Sequence, residues 1–150
     1  IPEWVSIRYT TTTTTLYDDI REAIRVFLVE HINNEYNRFV GRVVVDAPNG
    51  GYYQDRTLVE FSERVKIVIS NNLIPWLMLR GEEVLITTGI LGELRGIAPG
   101  IDNLKSIAEL LGWEYRPKYS MRIGGKAVSI SVISVPLNAF IEFLLPSPNS

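Results

Sequence analysis

Residues 115–135 read YRPKYSMRIGGKAVSISVISV, two runs of alternating polar and apolar residues that meet at Gly124 and Gly125. Such alternation is typical of β-strands, and a Gly-Gly pair supplies the positive φ angles that a two-residue hairpin turn needs. The stretch therefore predicts a β-hairpin that turns at these two glycines.

The position of the turn predicts which residues pair across this hairpin. Counting back from the glycines places Tyr119 opposite Ile130, and the same count places Pro117 opposite Val132. Successive side chains of a strand point to opposite faces. One predicted face is basic and contains Arg116, Lys118 and Arg122, and the other, buried face contains Tyr115, Tyr119 and Met121.

Pro117 interrupts the first strand of the predicted hairpin. Proline has no N–H to donate to a neighbouring strand, so its presence favours an edge position for this strand. An edge strand offers unpaired backbone groups to another chain. Pro117 is therefore a predicted interface residue.

The composition fits one domain covering residues 1–150, with a frayed tail over residues 146–150. The chain has 150 residues, of which 46% are hydrophobic, and its net charge is −2. This charge gives no global indication of nucleic-acid binding, which an excess of basic residues would give. The absence of cysteine excludes disulfides and cysteine-ligated metals.

Neither a membrane segment nor a targeting signal is evident in the sequence. Its apolar runs are far shorter than the roughly 20 residues of a membrane-spanning helix. The opening residues lack the charged start and apolar stretch of a signal peptide. The sequence therefore predicts no contact with a membrane and leaves the localisation undetermined.

The rest of the chain predicts further strands and helices on either side of the glycine-rich segment 89–100. Predicted strands cover residues 4–9, 39–45, 57–70 and 83–88, with a long turn at 46–55. Predicted helices run from Thr15 to about Asn33-Asn34, over 73–79, from Asp102 to Gly112, and over 137–144. We expect an α+β fold, in which a mainly antiparallel sheet of about five to six strands carries two principal helices packed on one face.

The residues with catalytic potential form no recognisable site, so no catalytic residue, metal ligand or cofactor is predicted. His31 is the only histidine and lies on the apolar face of a predicted helix. Four carboxylates, Asp46, Asp55, Glu60 and Glu63, are close enough in sequence for a hairpin to gather some of them around a divalent cation, but their spacing does not enforce it. A metal-dependent, nuclease-like enzyme is therefore the third of three hypotheses.

The first hypothesis is a non-enzymatic assembly module. The chain would be a self-associating subunit, in contact with copies of itself or with other protein subunits, in a virion or another ring-like assembly. Its interface would use Tyr52 and Tyr53 at the tip of the long turn together with Pro117. The second hypothesis is a nucleic-acid-binding module that uses the basic face of the 115–135 hairpin, namely Arg116, Lys118 and Arg122, assisted by Lys126 at its tip.

Overall fold

A computed structural model describes residues 9–45 and 59–145, which form five helices and four strands. The helices are α1 (Tyr9–Val45), α2 (Phe61–Ser70), α3 (Gly89–Leu94), α4 (Leu104–Leu111) and α5 (Leu137–Leu144). The strands are β1 (Leu77–Arg80), β2 (Glu83–Ile86), β3 (Glu114–Ile123) and β4 (Lys126–Pro136). Residues 4–8 of the predicted strand and the predicted turn over 46–55, with Tyr52 and Tyr53, lie outside the described residues, whereas Tyr9, the last residue of that strand, begins α1.

Helix α1 continues past its predicted end. Its buried residues Ile24, Leu28, Ile32 and Tyr36 recur every four positions, which is the spacing of one helix face. The predicted stop at Asn33-Asn34 is wrong, because the buried face continues past it to Tyr36. The side chain of Asn33 makes a contact between two helices instead of ending one. Its Oδ1 accepts a hydrogen bond of 2.9 Å from the Arg64 guanidinium. The strand predicted over 39–45 is also wrong, because these residues form the last part of α1.

Helix α2 occupies most of the stretch 57–70 that was predicted to be a strand. Its buried residues Val65, Val68 and Ile69 follow the i, i+3, i+4 spacing of a helix. Branched side chains favour strands on average, but here they cover one helical face that packs against α1. Packing against another helix outweighs the local preference.

The segment after α2 also differs from its prediction, because β1 replaces the helix expected over 73–79. The amide of Leu77 donates to the carbonyl of Ile74 at 3.0 Å, which forms a turn around Pro75 before the strand begins. Gly81, with φ of 65°, then leads into β2. The prediction of a strand beginning at Glu83 is confirmed, although it ends at Ile86.

Helices α4 and α5 are as predicted. Asn103 begins α4, since its side chain accepts a hydrogen bond from the backbone N–H of Ser106, and Gly112 ends α4 with φ of 74°. The first capping residue is therefore Asn103 instead of the predicted Asp102. Helix α3 lies inside the segment that was predicted to be a flexible connection.

The four strands form one antiparallel sheet in the order β1-β2-β4-β3. The α+β class is confirmed, whereas the described residues have four strands instead of five or six, and five helices instead of an arrangement with two principal ones. One row of paired residues crosses the whole sheet and faces the helices. It contains Leu77, Ile86, Ile133 and Tyr115. Helix α1 packs on α2, α4 and α5, and this group of helices covers that face.

The opposite face of the sheet has a different composition. It carries Met78 and Arg80 of β1, Glu83 and Leu85 of β2, and Val132 and Ser134 of β4. Leu85 and Val132 are fully buried although they lie outside the main core cluster. We call this side the second face.

Among the described residues, none of the helices combines the length and the apolar character needed to cross a bilayer.

Candidate functional site

The turn at Gly124 and Gly125 is confirmed, with φ angles of 60° and 85°. The register predicted for the far half of the hairpin is also confirmed, because Tyr119 pairs with Ile130 and Ile123 pairs with Lys126. β2 pairs only with residues 133–136 of β4, so the far half has no further strand beside it. We call residues 119–130 the distal hairpin.

A bulge interrupts the near half of the hairpin and changes the predicted register. Arg116 pairs with Val132 and Tyr119 pairs with Ile130, so two residues of β3, Pro117 and Lys118, lie opposite the single residue Ser131. The predicted pairing of Pro117 with Val132 is therefore wrong. Such a bulge bends the strand and increases its twist. Pro117 donates nothing to the ladder, and its carbonyl accepts a hydrogen bond of 3.1 Å from the Ser131 hydroxyl.

The bulge redistributes the basic side chains. It places Arg116 on the second face, together with Tyr119 and Met121, while Arg122 pairs with Ala127 on the other side of the ribbon. The predicted basic face shared by Arg116 and Arg122 is therefore wrong. Tyr115 was predicted to share a face with Tyr119, but it pairs with Ile133 and packs against the main core.

Tyr119 lies within reach of two guanidinium groups. The guanidinium carbon of Arg80 lies 5.4 Å from the centre of the Tyr119 ring, and that of Arg116 lies 5.6 Å from it. Both distances are within the range of cation–π attraction. Arg80 also donates a hydrogen bond of 3.3 Å to the carbonyl of Ser120. The distal hairpin is thereby tied to β1, the strand at the opposite edge of the sheet.

These residues line an open cleft of about 630 Å³ between β1 and β3. Its polar side chains are Arg80 from one wall and Arg116, Lys118 and Ser120 from the other. Tyr119 contributes the aromatic surface, and we call this site the basic cleft. A neighbouring apolar cleft brings Met121 of the distal hairpin close to Met78 and Leu85, which shows that the hairpin lies against the second face.

The charge of the hairpin is opposite to that of the whole chain. Residues 114–136 contain four cations and one carboxylate, a net charge of +3, so the other residues carry −5 within the total of −2. The carboxylate of this segment, Glu114, forms a 3.1 Å ion pair with Arg116. Across the described ranges 9–45 and 59–145, four of the nearby cations have no carboxylate within salt-bridge distance. They are Arg80, Lys118, Arg122 and Lys126.

The remaining predicted residues lie around this site or outside it. Pro117 lies on an edge strand, as expected, because β3 is the last strand of the sheet. Lys126 is exposed at the tip of the hairpin. Arg122 is also exposed and donates a hydrogen bond of 3.1 Å to the carbonyl of Gly125, which braces the turn.

The histidine that was weighed as a catalytic candidate packs among aromatic side chains. His31 forms a triangle of neighbouring rings with Phe27 and Trp76; its ring centre lies 5.6 Å from each of theirs, and those two centres are 6.0 Å apart. No group of three or more metal-ligating side chains occurs within the part of the chain that the structure describes. Glu60 and Glu63 lie at the start of α2, Glu60 as its N-cap residue and Glu63 in its first turn, instead of on the strand predicted over 57–70.

Sequence reasoning missed Arg80, the residue that completes the basic cleft. Arg80 lies 40 positions from Ser120, whose carbonyl it contacts. The sequence carries no local sign of that contact, since it depends on the sheet order and on the bend at the bulge. The signal that could have indicated the bulge is Pro117 itself, a residue that strands tolerate at bulges.

Comparison with family models, with curated proteins and with solved structures found no match for this chain.

Proposed function

We propose that this protein is a nucleic-acid-binding module whose β3–β4 hairpin contacts the phosphate backbone. The observation that carries the proposal is the concentration of positive charge on the hairpin, +3 over residues 114–136 in a chain of net charge −2. Lysine and arginine side chains bind phosphates through charge and hydrogen bonds, without reading the base sequence. The acidic remainder restricts this binding to one surface.

The shape of the hairpin supports the same function. The distal hairpin extends past the segment where β2 pairs with β4 and presents Arg122 and Lys126 near its tip. The side of the ribbon that carries Tyr119 and Met121 lies against the second face, so its outer side and its tip remain available to contact phosphates.

Helix α4 is a less favourable contact element. Helix-turn-helix modules read the major groove with the second of two helices joined by a short turn of about three to four residues. Here α3 and α4 are separated by the longer segment 95–103, and four of the exposed polar residues at or near α4 are Asp102, Asn103, Lys105 and Glu109. These side chains carry one positive and two negative charges. The hairpin is therefore the preferred element.

The test compares two variants that remove the same charge from different places. Arg122→Ala/Lys126→Ala removes two exposed cations from the hairpin, and Arg95→Ala/Lys105→Ala removes two exposed cations from the α3–α4 region. Binding of fluorescein-labelled oligonucleotides is measured by fluorescence anisotropy at about 50 mM and about 200 mM salt.

We expect the hairpin variant to bind more weakly than the unaltered protein. Its binding should also depend less on salt: the slope of log K against log salt should become shallower by about 0.7 to 0.9 for each phosphate contact removed. The control variant should bind like the unaltered protein. Equal losses in the two variants would indicate a general charge effect, and an unaltered protein that binds no oligonucleotide would refute the proposal.

Self-association is the second candidate function, and the specific observation behind it is the pair of open sheet edges at β1 and β3. The bulge at Pro117 and the charge of Lys118 protect the middle of β3 against strand addition. A second copy would therefore pair with β1. Light scattering coupled to size-exclusion chromatography over a concentration series tests this; a constant monomer mass would exclude it.

A further inference from the structure

We infer that the basic cleft accommodates an unpaired nucleotide, so that the module prefers single-stranded over double-stranded nucleic acid. This inference rests on the proposed function and specifies the class of nucleic acid. Proteins that bind single strands combine a positively charged groove, which follows the backbone, with an aromatic side chain on which a base stacks. The basic cleft has both features.

The aromatic feature is Tyr119, which is only partly buried and lies on the second face of the sheet. Its ring is held in place by the guanidinium groups of Arg80 and Arg116, at 5.4 and 5.6 Å from its centre. A ring that is already positioned loses little conformational freedom when a ligand stacks on it. Both guanidinium groups lie over this ring, so a base would stack on their planar faces or take the place of one of them on the ring.

The electrostatic feature is the wall of the cleft around the bulge. Lys118 is exposed and lies next to Tyr119 in the chain, and it has no carboxylate partner among residues 9–45 and 59–145. Arg80 approaches from the opposite wall. A nucleotide whose base contacts Tyr119 would thus have its phosphates beside these two cations.

The position of the ring disfavours a duplex at this site. Bases in a duplex are stacked on one another and expose only their edges in the grooves, so a side chain reaches a base face only where the base is unpaired. Tyr119 lies between β1 and β3 rather than at the tip of the hairpin. A duplex would contact the tip cations Arg122 and Lys126 and leave the basic cleft unused.

The experiment measures the affinity of four forms of the protein for two probes, fluorescein-labelled oligothymidylate of about 12 nucleotides and a blunt duplex of about 12 base pairs. The forms are the unaltered chain, Tyr119→Leu, Tyr119→Phe and Arg80→Lys. Phenylalanine keeps the stacking ring, leucine removes it, and lysine keeps the charge of Arg80 without its planar group. Circular dichroism and thermal melting verify that each variant is folded.

We expect tighter binding of the single strand than of the duplex by the unaltered chain. Tyr119→Leu should weaken single-strand binding by between about fivefold and a hundredfold, the loss typical of one stacked base, while Tyr119→Phe retains it. Arg80→Lys should weaken single-strand binding and leave duplex binding unchanged. Should Tyr119→Leu fail to fold, the Arg80→Lys result decides the inference alone.

Two results would overturn the inference, and they are distinguishable from a failure of the proposed function. If both probes bind equally and neither Tyr119→Leu nor Arg80→Lys changes the ratio, the hairpin binds nucleic acid but the basic cleft does not hold a base. If neither probe binds the unaltered chain, the proposed function and the inference fail together.

Discussion

The contact between Arg80 and Tyr119 can be tested through the stability of the protein, independently of any ligand. The perturbation is a double-mutant cycle of Arg80→Ala, Tyr119→Leu and their combination. Arg80 is exposed, so its cation–π attraction to the ring at 5.4 Å is worth about 0.5–1 kcal/mol. Its hydrogen bond to the Ser120 carbonyl is long, at 3.3 Å, and exposed, and adds no more than about 0.5 kcal/mol.

The cycle separates these two contributions. The hydrogen bond to the Ser120 carbonyl is present whether residue 119 is tyrosine or leucine, so it cancels in the coupling energy. Arg116 is present in all four proteins and its own attraction to the ring cancels as well. We therefore expect a loss of about 1 kcal/mol for Arg80→Ala, of which about 0.5–1 kcal/mol is coupling to Tyr119.

Urea denaturation provides the measurement. A loss of about 1 kcal/mol lowers the urea midpoint by about 0.3–1 M, for slopes of about 1–3 kcal/mol per molar. A parallel cycle between Arg80 and Tyr36, a buried residue of α1 outside the basic cleft, serves as the control and should show no coupling. A coupling energy below about 0.3 kcal/mol between Arg80 and Tyr119 would refute the contact between the Arg80 guanidinium and the Tyr119 ring.

Two further predictions concern the helical side of the molecule. Gly89→Ala places a Cβ atom 3.0 Å from the Cβ of buried Trp76. The overpacking should cost about 1–3 kcal/mol, which exceeds the gain of about 0.5–1 kcal/mol that alanine brings to a helix. Calorimetry should therefore show a Tm about 2–4 °C lower. Gly92→Ala, which meets open space in the same helix, is the control and should raise the Tm; a rise in both variants would contradict the clash. The hydrogen bond from Arg25 lowers the pKa of the Glu22 carboxyl below its ordinary 4.5. Ionised Glu22 therefore stabilises the fold above pH 4.5, and this stabilisation is lost as the pH falls through the lowered pKa of the folded protein. Glu22→Gln should therefore lower the free energy of unfolding by up to about 0.5 kcal/mol at neutral pH and leave it unchanged in acid. Urea midpoints at the two pH values measure this, and an equal loss at both would show that the charge of Glu22 does not stabilise the fold.

The elements that the sequence predicted correctly are those with strong local signals. The Gly124-Gly125 turn requires positive φ angles that few other residue pairs accept, and Gly112 ends α4 for the same reason. The last helix begins directly after Pro136, which ends β4. In each case the deciding interaction lies within a few residues.

The errors occur where distant contacts decide the structure. Val65, Val68 and Ile69 belong to a branched, strand-like sequence, yet they pack as one face of α2 because α1 lies against them. Asn33 has the chemistry of a helix end, but its hydrogen bond to Arg64 keeps it inside α1. Neither partner is visible from the local sequence.

The bulge in β3 shows how the core determines the candidate site. If the distal register continued without interruption, Arg116 would lie opposite Ile133, in the row that faces the helices, and Tyr115 would point to the second face. That arrangement would bury a guanidinium beside Ile86 and Ile133, at a cost of several kcal/mol, and would leave an aromatic ring outside the core. One extra residue in β3 exchanges the two side chains, so that Tyr115 packs in the core and Arg116 enters the basic cleft. Pro117 is suited to this interruption because it has no N–H whose hydrogen bond would be lost. The packing of the core thereby accounts for both the bend of the hairpin and the position of Arg116 beside Tyr119.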